Sequence, residues 1–107
     1  ATGMPFAEKE GLQETLTELA KLMPKCAGVR RQGAAALDLA YVAAGRLDGY
    51  WERGLNPWDI AAGLLIAREA GALVEGFNHP SETPLESGSL ICANNLVFKN
   101  FAKIIRD

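Results

Sequence analysis

The stretch YWERGLNPWDIAAGLLIAREAGALV, residues 50–74, carries most of the information about the fold. Its first residues predict a short strand that ends at Glu52, and the Gly/Pro segment after it predicts a reversal of the chain. An alanine-rich helix then opens around Asp59, and we expect it to stop in a left-handed cap at Gly71. The layout places two carboxylates, Glu52 and Asp59, at the mouth of one turn.

Strands and helices alternate along the rest of the chain, which predicts an α/β fold with a mixed β-sheet layered between helices. Residues 77–88 are rich in Asn, Pro, Ser and Thr and predict an exposed loop. The predicted strands are 1–6 (the end of a strand running into a turn), 26–31, 50–52, 72–76 and 89–93. The predicted helices are 8–23, 34–44, 58–70 and a last one that is capped by Asn94 or Asn95 and runs to about residue 105.

The spacing of apolar residues predicts which side of each helix faces the core. The helix 34–44 has almost no polar face, so we expect it to be buried between layers. The inward residues predicted for the first and last helices are Leu12, Leu16, Leu19, Met23, Phe98, Phe101 and Ile105.

Composition limits the function classes. The chain has 107 residues, enough for one domain at most, and a net charge of -2, which provides no basic surface for nucleic acid. No apolar run reaches the ~20 residues of a membrane helix, and ATGMPFAEKE at the start does not resemble a secretory signal. Cys26 and Cys92 are predicted to be reduced, buried thiols of a cytoplasmic protein.

Asp59 has two interpretations at this stage. A carboxylate in the first turn of a helix can cap the free backbone N–H groups, or it can be a metal ligand that the helix dipole keeps ionised. Glu52 is either a surface residue at a strand end or a ligand-binding group facing the same cleft. His79 is predicted to be a surface residue, Asp38 to satisfy buried backbone groups or an arginine, and Arg30 and Arg31 to be solvated or paired with acids.

The run Trp58-Asp59-x-Ala-Ala-Gly, followed by Glu69-Ala70-Gly71, resembles the second signature of the inositol monophosphatase family. These are magnesium-dependent, lithium-sensitive sugar phosphatases. The resemblance implies that Asp59 binds magnesium and contacts substrate, and that Glu52 accepts hydrogen bonds from hydroxyls of the inositol ring. The run Gly33 to Asp38 resembles the family's G-[ST]-A-A-L-D, which makes Gly33 and Ala35 substrate-binding positions. Ala34 departs from the pattern, because Ser or Thr is usual there.

The resemblance covers the whole chain but only the C-terminal half of the family's αβαβα fold. The Asp-Pro-[IL]-Asp-Gly-Thr run that supplies most of the metal site does not occur in this sequence. No catalytic residue beyond the metal ligand is therefore expected, and the isolated chain is predicted to be inactive. The missing N-terminal half, as a separate chain or a lost part, is the implied partner, together with inositol monophosphate, magnesium and a second copy in a homodimer.

Two alternatives stay open. The chain can be a non-catalytic binding or regulatory fragment of the same fold. It can also belong to a related sugar or nucleotide phosphatase, such as a fructose bisphosphatase, because those relatives share the signature around Asp59 in a looser form.

Overall fold

A computed structural model describes residues 1–3 and 11–107. The turn predicted for residues 4–6 and the start of the first helix at residue 8 lie outside the described residues. No helix in the described part of the chain is both long and apolar enough to cross a membrane.

The sheet is built from β1 (Gly49–Glu52), β2 (Leu73–Gly76) and β3 (Leu90–Ala93). Its order is β1-β3-β2, and both neighbours run antiparallel to β3. Thr2 adds a parallel bridge to Trp51 of β1. Among the described residues the three strands pair antiparallel, and parallel pairing is limited to this bridge. The predicted α/β class is confirmed.

The central strand explains the layering. All four residues of β3 are buried, and alternate residues face opposite sides of a strand. Leu90 and Cys92 pack on one side in a core that includes residues of the second and third helices. Ile91 and Ala93 pack on the other side, with residues of the first and last helices. The sheet therefore lies between two helical layers, as predicted.

Five α-helices surround the sheet in the described residues. Four of them occur in the predicted order, and the short helix α4 lies within the segment predicted to be a loop. A short 3-10 turn, Met23–Lys25, follows the first of them. The helices are α1 (Leu12–Leu22), α2 (Ala35–Ala43), α3 (Pro57–Glu69), α4 (Pro84–Ser87) and α5 (Phe98–Arg106).

Helices α2 and α3 pack closely because of one glycine. A Cβ atom on Gly63 of α3 would lie 2.7 Å from Cδ1 of Leu39 in α2. Real carbon atoms do not approach this closely, so the helix spacing depends on the missing side chain. The end of α3 is as predicted, since Gly71 has a φ of 93° just beyond it.

The predicted face of α1 is wrong in part. Leu19 is buried as predicted, but Leu12, Leu16 and Met23 are 36%, 45% and 59% exposed. The face that packs on the sheet contains Thr15, Glu18, Leu19 and Leu22. Glu18 turns inward because the Trp51 indole and the Arg53 guanidinium bind its carboxylate, and this rotates the leucine stripe toward solvent.

Residues 26–31 do not form the predicted strand. Among the described residues, their one backbone hydrogen bond to the sheet region runs from the N–H of Thr2 to the carbonyl of Arg30, at 3.0 Å. One backbone hydrogen bond is not enough to pair this segment with the sheet as a strand. Cys26 lies exposed in this segment, which corrects the prediction of two buried thiols, whereas Cys92 is buried in β3 and both are free.

Three smaller predictions also change. Helix α2 is buried on one side only, with Leu37 exposed on the other. The loop 77–88 contains the short helix α4 and starts at a buried Phe77. The side chain of Asn94 caps the final segment by accepting hydrogen bonds from the N–H groups of Leu96 and Val97. In the last helix, Phe98 and Ile105 are buried as predicted, and Phe101 is only partly buried.

Candidate functional site

The candidate site lies where β1 ends and α3 begins. Glu52 is the last residue of β1, and Asp59 is the third residue of α3. Oδ2 of Asp59 accepts a 3.1 Å hydrogen bond from the N–H of Asn56. The Asn56 side chain in turn accepts from the N–H of Asp59, which completes a capping box. The capping interpretation of Asp59 is therefore confirmed, and the metal interpretation remains a prediction.

Glu52 is held from two sides. The hydroxyl of Tyr50 donates a 2.5 Å hydrogen bond to Oε1 of Glu52. The backbone of Gly3 lies so close to the carboxylate that a Cβ atom on residue 3 would overlap it. Glu52 itself is half-buried. Its carboxylate is thus fixed in place rather than free on the surface, which argues against the interpretation of Glu52 as an ordinary surface residue.

The electrostatics connect Glu52 with Asp59. Burial raises the pKa of Glu52, and the charge of Asp59 raises it further. The Tyr50 hydrogen bond and the Arg31 charge act in the opposite direction and lower the pKa of Glu52. The structure therefore brings the two predicted carboxylates close enough to interact, with Arg31 nearby. Arg31 is exposed and its charge acts on Glu52, which matches the sequence-based prediction that Arg31 is solvated or paired with an acid.

Asp38 lies behind this site in α2 and is almost completely buried. Within the described part of the chain, neither of its carboxylate oxygens has a hydrogen-bond partner. The expected backbone or arginine partner is therefore not found, and that prediction is corrected. Burial raises the pKa of Asp38 to about 6, the Ala1 ammonium opposes this shift, and the charge of Glu52 adds to it.

The start of α2 forms the third part of the site. Gly33 has a φ of 82°, a conformation that favours glycine. Ala34 occupies the N-cap position with an extended backbone and gives no side-chain cap. Ala35 is buried in the same core as Tyr50. The departure from Ser or Thr at residue 34 therefore leaves this helix end without a hydroxyl acceptor.

Magnesium prefers several oxygen ligands, and the described residues provide only part of such a site. No group of three or more His, Cys, Asp or Glu side chains among residues 1–3 and 11–107 could hold a metal ion. His79 lies exposed in a loop, where its ring contacts Ser81 Oγ at 2.7 Å. Asp59 can thus contribute one ligand, and a complete magnesium site does not fit within the described residues alone.

Two contributors to the site escaped the sequence reasoning. Tyr50 stands two residues before Glu52, so their side chains share one face of β1, and that spacing was available as a signal. Gly3 offered none, because its contact with Glu52 depends on the bridge between Thr2 and Trp51.

The fold and the site define a layered α/β protein with a carboxylate pair at a strand–helix junction. The sequence profile described as the inositol monophosphatase family matches residues 1–107. The chain belongs to the inositol monophosphatase family.

Relatives and solved structures agree with this membership. The chain is 47% identical to an inositol-1-monophosphatase of Rhizobium meliloti, over 98% of this chain and 39% of the relative. It is 47% identical to the Nus factor SuhB of Escherichia coli K12, over 100% of this chain and 40% of the relative. The crystal structure of the extragenic suppressor protein suhB from Bartonella henselae superposes with a TM-score of 0.91 at 40% identity, over 99% of this chain and 40% of that one.

These relatives are longer than the chain. The chain spans about two fifths of their length.

Proposed function

We propose that this chain is the C-terminal part of a phosphatase that hydrolyses inositol monophosphate or a similar sugar phosphate with magnesium as cofactor. Family membership supports the phosphatase class. The observation that carries the proposal is the placement of two carboxylates on either side of one turn, with Glu52 at the end of β1 and Asp59 in the first turn of α3.

Each residue has a proposed role. Asp59 is one magnesium ligand and contacts substrate, and its place in the first turn of α3 fixes the carboxylate while the helix dipole favours its charge. Glu52 accepts hydrogen bonds from substrate hydroxyls, as an ionised carboxylate can do. Gly33 and Ala35 line the substrate pocket at the start of α2. When bound, magnesium supplies charge neutralisation for the phosphate.

The rest of the active site is proposed to come from the remaining length of the family protein. An apolar surface supports this. On α3, Trp58 and Leu65 are 78% and 61% exposed, and Ile66 is exposed as well. Leu37 is an exposed apolar residue of α2, the helix that packs on α3. Large exposed apolar surfaces are uncommon in stable monomers. The missing part covers this surface, and the isolated 107-residue chain has no phosphatase activity.

Family resemblance also supports a homodimer and a cytoplasmic location. Two free thiols fit a reducing compartment.

The test uses the complete protein that contains this chain. Asp59→Asn keeps a side-chain oxygen for the N–H of Asn56 and removes the charge. We expect unchanged folding, magnesium affinity lowered at least ~10-fold and loss of hydrolysis. Asp48→Asn, in an exposed turn, is the control and leaves magnesium affinity and hydrolysis unchanged. Retained magnesium affinity in the Asp59 variant would show that Asp59 is only a helix cap.

The substrate is tested by activity ratios. We expect inositol monophosphate to be hydrolysed faster than fructose bisphosphate or a nucleotide phosphate. A reversed order would assign the chain to a related sugar or nucleotide phosphatase.

A second candidate function is a non-catalytic binding role. Its support is that relatives named Nus factor SuhB are as similar to this chain as relatives named for the enzyme, at 46–47% identity. A binding role would survive Asp59→Asn, so a variant that loses hydrolysis and keeps the cellular function of the protein would favour this candidate.

A further inference from the structure

Oε1 of Glu52 accepts a 2.5 Å hydrogen bond from the Tyr50 hydroxyl, and among residues 1–3 and 11–107 this is the one side-chain hydrogen bond of the Glu52 carboxylate. Tyr50 is fully buried, and it lies in the core formed by α2, α3 and the sheet. Its ring cannot move without disturbing that core. The hydroxyl is therefore a fixed donor, and it engages one of the two carboxylate oxygens of Glu52.

Gly3 restricts the carboxylate from a second direction. The Glu52 carboxylate occupies the space that a Cβ atom on residue 3 would need, so Cδ and both oxygens of Glu52 lie directly against the Gly3 backbone. The carboxylate is confined between a buried hydroxyl and a glycine backbone. Confinement of this kind lowers the entropy lost when a ligand binds and fixes the direction of the remaining acceptor.

We propose that Tyr50 is a positioning residue that sets substrate specificity: it occupies Oε1 of Glu52 and presents Oε2 as the acceptor for a hydroxyl of a phosphorylated polyol. The proposal rests on the proposed function and deepens it, because it names the group that decides between a polyol phosphate and a phosphate ester without hydroxyls. Glu52 offers one aimed oxygen instead of two equivalent ones.

The geometry explains why the effect is selective. A hydrogen bond between a substrate hydroxyl and a charged carboxylate strengthens binding, but only when the acceptor points at the hydroxyl. A substrate without a hydroxyl beside the phosphate makes no such bond and does not depend on the direction of Oε2. The Tyr50 hydroxyl bonds to Glu52 and has no assigned role in binding the phosphate, so its removal leaves the chemistry assigned to Asp59 intact.

The experiment compares Tyr50→Phe with wild type in the complete protein. Phenylalanine keeps the ring in the core and removes only the hydroxyl. We expect KM for inositol monophosphate to rise about 5–10-fold with a smaller change in kcat, because ~1.4 kcal/mol is tenfold. For phenyl phosphate, which has no hydroxyls, kcat/KM stays within about twofold of wild type.

Two further variants complete the design. Tyr41→Phe is the matched control, since Tyr41 is the only other tyrosine. Tyr41 lies in α2 with the Arg46 guanidinium over its ring. Its replacement leaves KM and kcat/KM unchanged for both substrates. Gly3→Ala pushes the Glu52 carboxylate from its position and reproduces the selective rise in KM. This variant decides the question if Tyr50→Phe fails to fold.

The outcomes separate this proposal from the function that it rests on. Equal effects on both substrates, or none on either, overturn the positioning role. If wild type hydrolyses phenyl phosphate but not inositol monophosphate, the proposed substrate is wrong. Calorimetric titration with free inositol then decides: binding that weakens at least ~5-fold in Tyr50→Phe supports the positioning role, and absent or unaffected binding overturns it.

Discussion

The indole N–H of Trp51 donates a 2.9 Å hydrogen bond to Oε1 of Glu18, a buried carboxylate on α1. Arg53 binds the same carboxylate and lies with its guanidinium 3.8 Å from the centre of the Phe77 ring. A buried charge is tolerated only when it is paired and hydrogen-bonded. This cluster therefore fixes α1 to β1 and to the turn that follows Glu52.

Replacing Glu18 by Gln tests that attachment. The amide keeps an acceptor for Trp51 but leaves Arg53 without its charge partner, so we expect a loss of ~2–3 kcal/mol in the free energy of unfolding. Denaturant titration measures it. Glu14→Gln, on the exposed side of α1, is the control and changes stability by less than ~0.5 kcal/mol. Equal effects at both positions would mean that the cluster does not stabilise the fold.

Asp38→Asn should stabilise the protein in a pH-dependent way. The native pKa of Asp38 is raised from 3.8 to about 6, so the native state holds the proton more tightly than the unfolded state. The stability of wild type consequently falls as pH rises from about 4 to 6 and then stays low. The amide has no charge to bury, which makes the variant more stable above that range by up to ~3 kcal/mol.

The measurement for Asp38 is the midpoint of unfolding at a series of pH values. The advantage of the variant should be near zero at pH 4, grow up to about pH 6 and stay constant above it. Asp48→Asn, in an exposed turn, should give no such trend. A constant difference at all pH values would show that Asp38 does not titrate abnormally.

Ala34→Ser should stabilise α2. The N-cap residue has an extended backbone with φ of -146° and no side-chain cap, so a serine hydroxyl can accept from the free N–H groups of the first turn. The expected gain is ~0.5–1 kcal/mol. Ala36→Ser, exposed inside the same helix, lacks this opportunity and loses a few tenths of a kcal/mol, roughly, through helix propensity. Thermal unfolding of both variants distinguishes the two cases, and equal shifts would contradict a capping effect.

Gly63→Ala should destabilise the contact between α2 and α3. The added Cβ would lie 2.7 Å from Cδ1 of Leu39, and separating the helices costs ~1–3 kcal/mol. The exposed Ala62→Gly on the same helix costs ~1 kcal/mol through propensity. Propensity alone predicts opposite signs for these two reciprocal changes, so a loss of stability in both identifies the packing effect. A gain in Gly63→Ala would refute it.

Local signals in the sequence predicted the elements that depend on local chemistry. Helix α3 was recognisable from Pro57 at its start and Gly71 beyond its end, and these features also placed Glu52 and Asp59 on either side of one turn. The order of elements followed from alternating strand and helix patterns. The fold class was therefore accessible without structural information.

The failures share a different cause. Glu18 lies outside the stripe of apolar residues that was predicted to face the core, yet it is buried, and its partner Trp51 lies 33 residues away along the chain. The strand predicted at residues 26–31 required a neighbouring strand, and within residues 1–3 and 11–107 its one such contact is the hydrogen bond from Thr2. Periodicity carries no information about such distant partners. For the same reason, the sequence could not predict that the Asp38 carboxylate has no hydrogen-bond partner among the described residues.

The position of β3 has a consequence for synthesis. Strands β1 and β2 come earlier in the chain, but each pairs with β3 and they do not pair with each other. On a ribosome, the edges of β1 and β2 that pair with β3 stay unpaired until residues 90–93 emerge between them. Unpaired strand edges are prone to wrong association. Helices α2 and α3 both emerge before β3 and pack on each other as well as on the sheet, so their contact can protect the nascent chain during that interval.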